Sequence, residues 1–272
     1  MKFLISTMSD IIMDEEDGKD PIITYNDSSL EVARKYGCGI EIAEFCMNDN
    51  LDDHLAEVEP GIWRKVRGVD YVTLHAPYNE LYPSAIDPKY ADFVASRYSQ
   101  ALEAAAKYGA KKIIIHAGYL SSVYFKFFFI NQSVKFWKRF LENHPGDYEI
   151  CLENVTEPDP SFIIPIIEGV NDPRMKGCFD VGHANLFDCP LDDWLDAFAP
   201  HLSHLHIHNN NGRPDNNPLG VLGDIHAHPG NGKIDMVHIL ERVKEINPDA
   251  TLAMETMDIE NGAKWLKDNG YL

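Results

Sequence analysis

His75, His116, Glu153, Asp180, His183, His206, Asp224, His226 and Glu255 are imidazoles and carboxylates spaced along one chain at the ends of apolar segments. Most of them close a β-branched run. YVTLHAP, KKIIIHAG, YEICLEN, GCFDVGH, HLSHLHIH and TLAMET each read as a buried strand that stops at one of these side chains. Imidazole nitrogen and carboxylate oxygen are the ligand atoms of zinc, manganese and similar divalent ions. A convergent set of them points to metal chemistry with one to three ions. Asp180 and His183 stand three apart across a strand end and can address neighbouring ions. Asp224 and His226, two apart on an extended segment, point the same way.

These residues need elements that bring strand ends together. Strands are predicted at 3–7, 38–45, 71–76, 111–117, 148–154, 177–181, 202–208 and 251–255, each followed by an amphipathic stretch. Eight such repeats predict one (β/α)8 TIM barrel, a parallel sheet with outer helices, as a single domain over residues 1–272. The clearest helix is 89–108, ended by Gly109. Another starts at Ser28, where Ser28 and Glu31 have capping-box spacing and Gly37 follows the last turn. A third is expected over 191–200, where acidic residues open the segment and Pro200 stops it. In this architecture the carboxyl ends of the strands converge on one mouth. The nine residues fall there, on the third to eighth strands and in the loop after the seventh.

The segments TLHAPY, IIIHAG, LENV, FDVGH, LHIHNN, DIHAHPGNG and MET resemble those of the xylose isomerase-like barrels. That superfamily also contains the AP endonuclease family 2 enzymes such as endonuclease IV, and the resemblance covers nearly the whole chain. It implies three ion groups: His75, His116 and Glu153; Glu153, Asp180, His206 and Glu255; and His183, Asp224 and His226, with Glu153 shared. The second group alone is similar to the single divalent site of sugar isomerases and epimerases. Motif position makes His206 the ligand among the alternating His204, His206 and His208. His208 is then a substrate contact or a partner of a ligand, and His204 lies lower in the barrel.

Two reaction classes use such a site. An isomerase or epimerase holds the carbonyl and hydroxyl oxygens of a sugar on the ion and moves a carbon-bound proton between carboxylates, here Glu153 and Glu255. Glu41 can hydrogen-bond a sugar hydroxyl or be a buried, paired carboxylate, and Arg213 and Lys233 can hold a phosphate or carboxylate or be solvated charges. A phosphodiesterase of the endonuclease IV type would use clustered zinc ions on a phosphate ester. The chain departs from that enzyme at LENVTEPD and at HIHNNNG, and AEFCMNDN offers no arginine to insert into a base stack.

A formal net charge of −19 also repels a nucleic-acid backbone at long range. Five cysteines without a CxxC pair read as buried thiols of a reducing compartment. No 18-residue apolar run is present, and the acidic opening lacks the pattern of a signal peptide, so a cytoplasmic protein is expected. The aromatic segment GYLSSVYFKFFFINQ is expected to be a wall or lid over a small ligand, an oligomer contact, or packing beneath a loop. The acidic run MDEEDGKD reads as a solvated loop.

The expected activity is that of a divalent-metal-dependent sugar or sugar-phosphate isomerase or epimerase using zinc or manganese. A multinuclear zinc phosphodiesterase is the alternative, and a non-catalytic metal-binding barrel the second. The partner is a small sugar or sugar phosphate, not nucleic acid or a membrane, and an oligomer is left open.

Overall fold

A computed structural model describes residues 1–14, 22–214 and 223–272. The chain begins with β1 (Lys2–Ser6), a hairpin of β2 (Ile11–Asp14) and β3 (Ile22–Tyr25), α1 (Ser28–Tyr36) and β4 (Gly39–Ile42). There follow α2 (Leu55–Val66), β5 (Val72–His75), α3 (Pro88–Tyr108), β6 (Lys112–His116), α4 (Lys126–Asn143), β7 (Glu149–Glu153) and α5 (Ile164–Val170). The last third holds β8 (Met175–Asp180), α6 (Val181–Ala184), α7 (Leu191–Phe198), β9 (Leu202–Ile207), α8 (Met236–Ile246), β10 (Thr251–Met254) and α9 (Ile259–Asp268).

Eight strands pair in parallel as a closed barrel in the order β1, β10, β9, β8, β7, β6, β5, β4. Every predicted strand is present, with its ends moved by at most three residues. The β2–β3 hairpin was not expected. Its first strand carries Met13 and Asp14, so the acidic run begins inside an element; the rest of that run lies outside the described residues. No described helix is long and apolar enough to cross a membrane.

Period-two alternation sends one set of strand side chains outward to the helices. Phe179 on β8 packs there against Trp194 and Phe198 of α7, and Tyr98 of α3 stacks on Trp137 of α4 at 5.5 Å. Fully burying such a side chain contributes about 1.5–3 kcal/mol, so this outer layer supplies most of the hydrophobic stabilisation. The inward set holds a small apolar cluster of Ile114, Cys151 and Cys178, with Leu4 and Ala253 also buried. Many of the other inward positions are polar. All five cysteines are free thiols, and four are buried.

α3 forms as expected, with the Asp87 side chain accepting from the Lys89 N–H and the helix ending at Gly109. α1 starts at Ser28, but the predicted capping box is not made. Asp10, at the end of the loop after β1, does that work from a distance: its carboxylate accepts from the Ser29 N–H at 2.8 Å and from the Ser28 hydroxyl at 2.8 Å. A carboxylate brought in by the fold satisfies the first turn better than a local hydroxyl. Asp10 also lies 2.7 Å from the fully buried Lys65 ammonium of α2, which meets Glu44 at 2.8 Å. This buried cation between two carboxylates ties together the loops after β1 and β4.

Candidate metal centre

His75, His116, Glu153 and Asp180 are the final residues of β5, β6, β7 and β8; His206 is one short of the end of β9, and Glu255 directly follows β10. The barrel therefore delivers them to one mouth. His206 Nδ1 is the hub. It lies 2.9 Å from Glu153 Oε1 and 3.6 Å from both Asp180 Oδ2 and Glu255 Oε2. The other Glu153 oxygen faces His75 Nε2 at 3.2 Å and His116 Nε2 at 3.5 Å. Glu153 thus stands between two donor groups.

A further group lies beside the first. Asp224 Oδ2 is 3.2 Å from His183 Nε2 and 3.3 Å from His226 Nε2. His226 has left-handed backbone, φ 42°, and its Nδ1 sits 3.0 Å from the Glu255 carbonyl oxygen. Such a conformation in a non-glycine residue costs about 1–3 kcal/mol and is retained where surrounding contacts demand it. His183, His208, Asp224 and His226 offer ligand atoms within 4.8 Å of one another. The His208 ring, however, stacks parallel on His226 at 3.8 Å and 5°. Two stacked imidazoles cannot both aim in-plane lone pairs at one ion, which assigns His208 a place beside the group. Its Nε2 lies 3.0 Å from Asp180 Oδ1, so it braces a carboxylate of the first group.

The electrostatics are those of a cation cage. Burial opposes charge on Glu153 and Asp180, yet His206 and His116 hold the former, and His183 and His208 the latter, well below the usual carboxylate range. Burial also opposes charge on His183, but Asp180 and Asp224 outweigh it and push the imidazole up to about 10. His226 rises to about 9, as Asp224 and Glu255 overcome burial. At His116 burial wins, reinforced by His75 and His183, and the ring falls to about 3. Among the described residues, Asp224 Oδ1, Glu255 Oε1 and His208 Nδ1 are buried without a hydrogen-bond partner. Leaving such a group unpaired costs about 1–3 kcal/mol. Dense, partly unpaired oxygen and imidazole donors fit divalent metal ions. The first group, three carboxylates and one imidazole, offers the harder donors, and the flanking groups the softer.

The nine predicted ligands come together, and of the predicted substrate contacts His208 and Glu41 lie against them while Arg213 and Lys233 do not. Glu41 is fully buried on β4, with its oxygens 3.0 Å from His204 Nε2 and His206 Nε2, so it is the paired carboxylate and not a free sugar contact. Arg213 is bound to Asp188 at 3.0 Å. Lys233 is exposed, and its backbone N–H donates to Asn210. Neither basic side chain pairs with the cluster among the described residues. The aromatic segment divides: Tyr119 and Phe129 are core, whereas Phe125 and Phe127, at the start of α4, are exposed.

Several positioning residues went unread in the sequence. The Asn154 amide extends the β7–β8 pairing, donating to the Asp180 carbonyl and accepting from the Asp180 N–H, both at 2.8 Å. Asn209 ties down the loop after His226 through the Pro229 carbonyl and the Ile234 N–H. Gly232, in the DxHxxxGxG spacing, makes room for it: a Cβ there would stand 2.1 Å from Asn209 Oδ1. An asparagine directly after a residue of the cluster, at Glu153-Asn154 and His208-Asn209, was the available signal. Tyr78 stacks on His116 at 4.2 Å and covers one edge of the mouth.

Residues 30–269 match the family described as xylose isomerase-like TIM barrel. The chain belongs to that family. An uncharacterised protein of Methanocaldococcus jannaschii, MJ1311, is 24% identical over 205 residues, covering 71% of this chain and 67% of its own. A D-tagatose 3-epimerase-like protein superposes with a TM-score of 0.72 at 20% identity, covering 99% of this chain and 96% of the other. The IolI protein, solved with a bound zinc atom, gives a TM-score of 0.72 at 17% identity, covering 98% and 96%. At these identities the solved structures speak to the family's barrel and not to its reaction.

Proposed function

We propose that this family member is a divalent-metal-dependent sugar isomerase or epimerase. Glu153, Asp180, His206 and Glu255 would hold the working ion, and His75 with His116, and His183 with Asp224 and His226, would hold any flanking ones. Bound there, a divalent ion gathers the carbonyl and hydroxyl oxygens of a hydroxyketone and makes the carbon-bound proton between them easier to remove. Glu153 and Glu255 flank the same imidazole nitrogen and carry the proton as acceptor and donor. The observation that carries this reading is the buried Glu255 Oε1, free of any partner among the described residues beside a carboxylate whose own oxygens are both occupied. The epimerase-like and zinc-bearing relatives of the same barrel support it. A small sugar is the substrate class; with Arg213 engaged by Asp188, nothing described at the cluster favours a phosphate. The protein is expected to work in the cytoplasm.

The experiment loads the chain with manganese or zinc and incubates it with a panel of ketoses in deuterated water. Deuterium is expected next to the carbonyl carbon, and Glu255→Gln should abolish its entry. Metal-loaded protein that exchanges no ketose proton, or a variant that exchanges at the wild-type rate, refutes the reading. Chelator-sensitive nicking of abasic duplex instead would move the assignment to the phosphodiesterase class.

A further inference from the structure

TIM-barrel interiors are filled by branched apolar side chains, but here a polar column runs through the core. Lys112 Nζ on β6 donates to Thr251 Oγ1 on β10 at 3.2 Å, and that oxygen lies 2.6 Å from His204 Nδ1. Beyond it, His204 Nε2 is 3.0 Å from Glu41 Oε2, and Glu41 Oε1 is 3.0 Å from His206 Nε2. Thr73 of β5 donates to Glu41 at 2.8 Å. Thr73, Glu41, His204, His206 and Thr251 are wholly buried, so no water competes for these protons.

Each link selects where the next proton sits. An ammonium only donates, so the Thr251 oxygen accepts from Lys112 and turns its own proton onward. His204 Nδ1 at 2.6 Å is a nearer acceptor for it than the Ser203 carbonyl at 3.4 Å. The His204 ring proton is then on Nε2, facing Glu41. The ionised Glu41 carboxylate only accepts, and it favours a proton on the Nε2 of both imidazoles. The two 3.0 Å contacts are bent away from the N–H axes, so the carboxylate acts mainly through its charge. His206 thus turns Nε2 to Glu41 and Nδ1 to Glu153, Asp180 and Glu255, and Nδ1 is the nitrogen that would be bare towards a cation held by those carboxylates.

We propose that Glu41 is a positioning residue which, with Thr251 and His204 behind it, sets the His206 tautomer and so the nitrogen presented to the metal. The inference rests on the metal-dependent reading of the site. Carboxylates behind a ligating imidazole typically set metal affinity by about 10–100-fold.

Zinc affinity, measured by competition with a chromophoric chelator, and the imidazole nitrogen chemical shifts of the zinc-loaded protein test it without any substrate. The wild type should show His206 metal-bound at Nδ1 and protonated at Nε2. Glu41→Gln, which keeps shape and removes charge, should weaken zinc by about 10–100-fold and blur that tautomer pattern. Thr251→Val, two links behind Glu41, should cause a smaller loss in the same direction while the chain stays folded. Wild-type affinity and an unchanged pattern in Glu41→Gln overturn the proposal. Should Glu41→Gln not fold, wild-type affinity in Thr251→Val overturns it equally. A wild-type chain that takes up no zinc removes the metal reading itself before any variant is compared.

Discussion

Gly182→Ala turns the packing of the candidate metal centre into a measurable sign. Gly182 sits in the helical turn α6, where alanine ordinarily stabilises a protein by about 0.4–1 kcal/mol through the unfolded state. Here the new Cβ would stand 2.0 Å from His208 Cε1 and 2.3 Å from Nδ1. Ordinary carbon contact begins near 3.5 Å, so the ring or the turn must move by about 1.5 Å. His208 has little freedom to give: His226 stacks on it at 3.8 Å, and its Nε2 holds Asp180 at 3.0 Å. Overpacking of this kind costs about 1–3 kcal/mol, and losing a buried hydrogen bond to a charged group costs about 1.5–3 kcal/mol. A net loss near 3 kcal/mol corresponds to about 6–12 °C in Tm for a domain of this size. Displacing Asp180 should also weaken metal uptake by about 10–100-fold. Thermal unfolding and metal content are the assays. Adding His208→Ala relieves the clash, so the double variant should be more stable than Gly182→Ala alone, a coupling expected only of residues in contact. A Gly182→Ala protein with wild-type Tm and metal content would refute the close approach and the role given to His208.

Two further outcomes follow from the same structure. In metal-free protein His183 and His226 are protonated at neutral pH because Asp180, Asp224 and Glu255 favour their charged forms against burial. Ligand imidazoles must be neutral, so zinc filling the group of His183, Asp224 and His226 at pH 7 should release about two protons, read by calorimetry in buffers of different ionisation enthalpy; zinc uptake without proton release would contradict the assignment. The linkage has a sign. Both folded values, about 10 and about 9, lie above the ordinary imidazole value of 6.5, so their contribution to metal-free stability is complete below pH 6.5 and is lost as pH rises through 9–10. Lys65→Met should leave Asp10 and Glu44 buried without their cation, a loss of about 3–5 kcal/mol, seen as a lower midpoint in denaturant; an unchanged midpoint would show that the pair is not held in this way.

Much of this protein is written locally. Buried parallel strands read as β-branched runs because both their faces are covered, and six of the eight here, β5 to β10, end at or beside an imidazole or carboxylate. That is why eight strands and the residues that gather at the mouth were legible before any coordinates. His204 was legible too, as a histidine below the ligand on the same strand face, because side-chain alternation is a property of the strand alone.

What remained hidden depends on partners far away in the chain. Asp10 caps α1 across 19 residues, and Lys65 finds its two carboxylates in separate loops. Glu41 reads equally well as a sugar contact until barrel closure sets it 3.0 Å from two histidines of β9. Arg213 looks free until the fold gives it Asp188. Sequence patterning determined which groups reach the mouth, because strand period and strand ends are local properties. Only the tertiary structure decided which of them face each other, because pairing among buried charges depends on distances of a few ångströms that no spacing along the chain encodes.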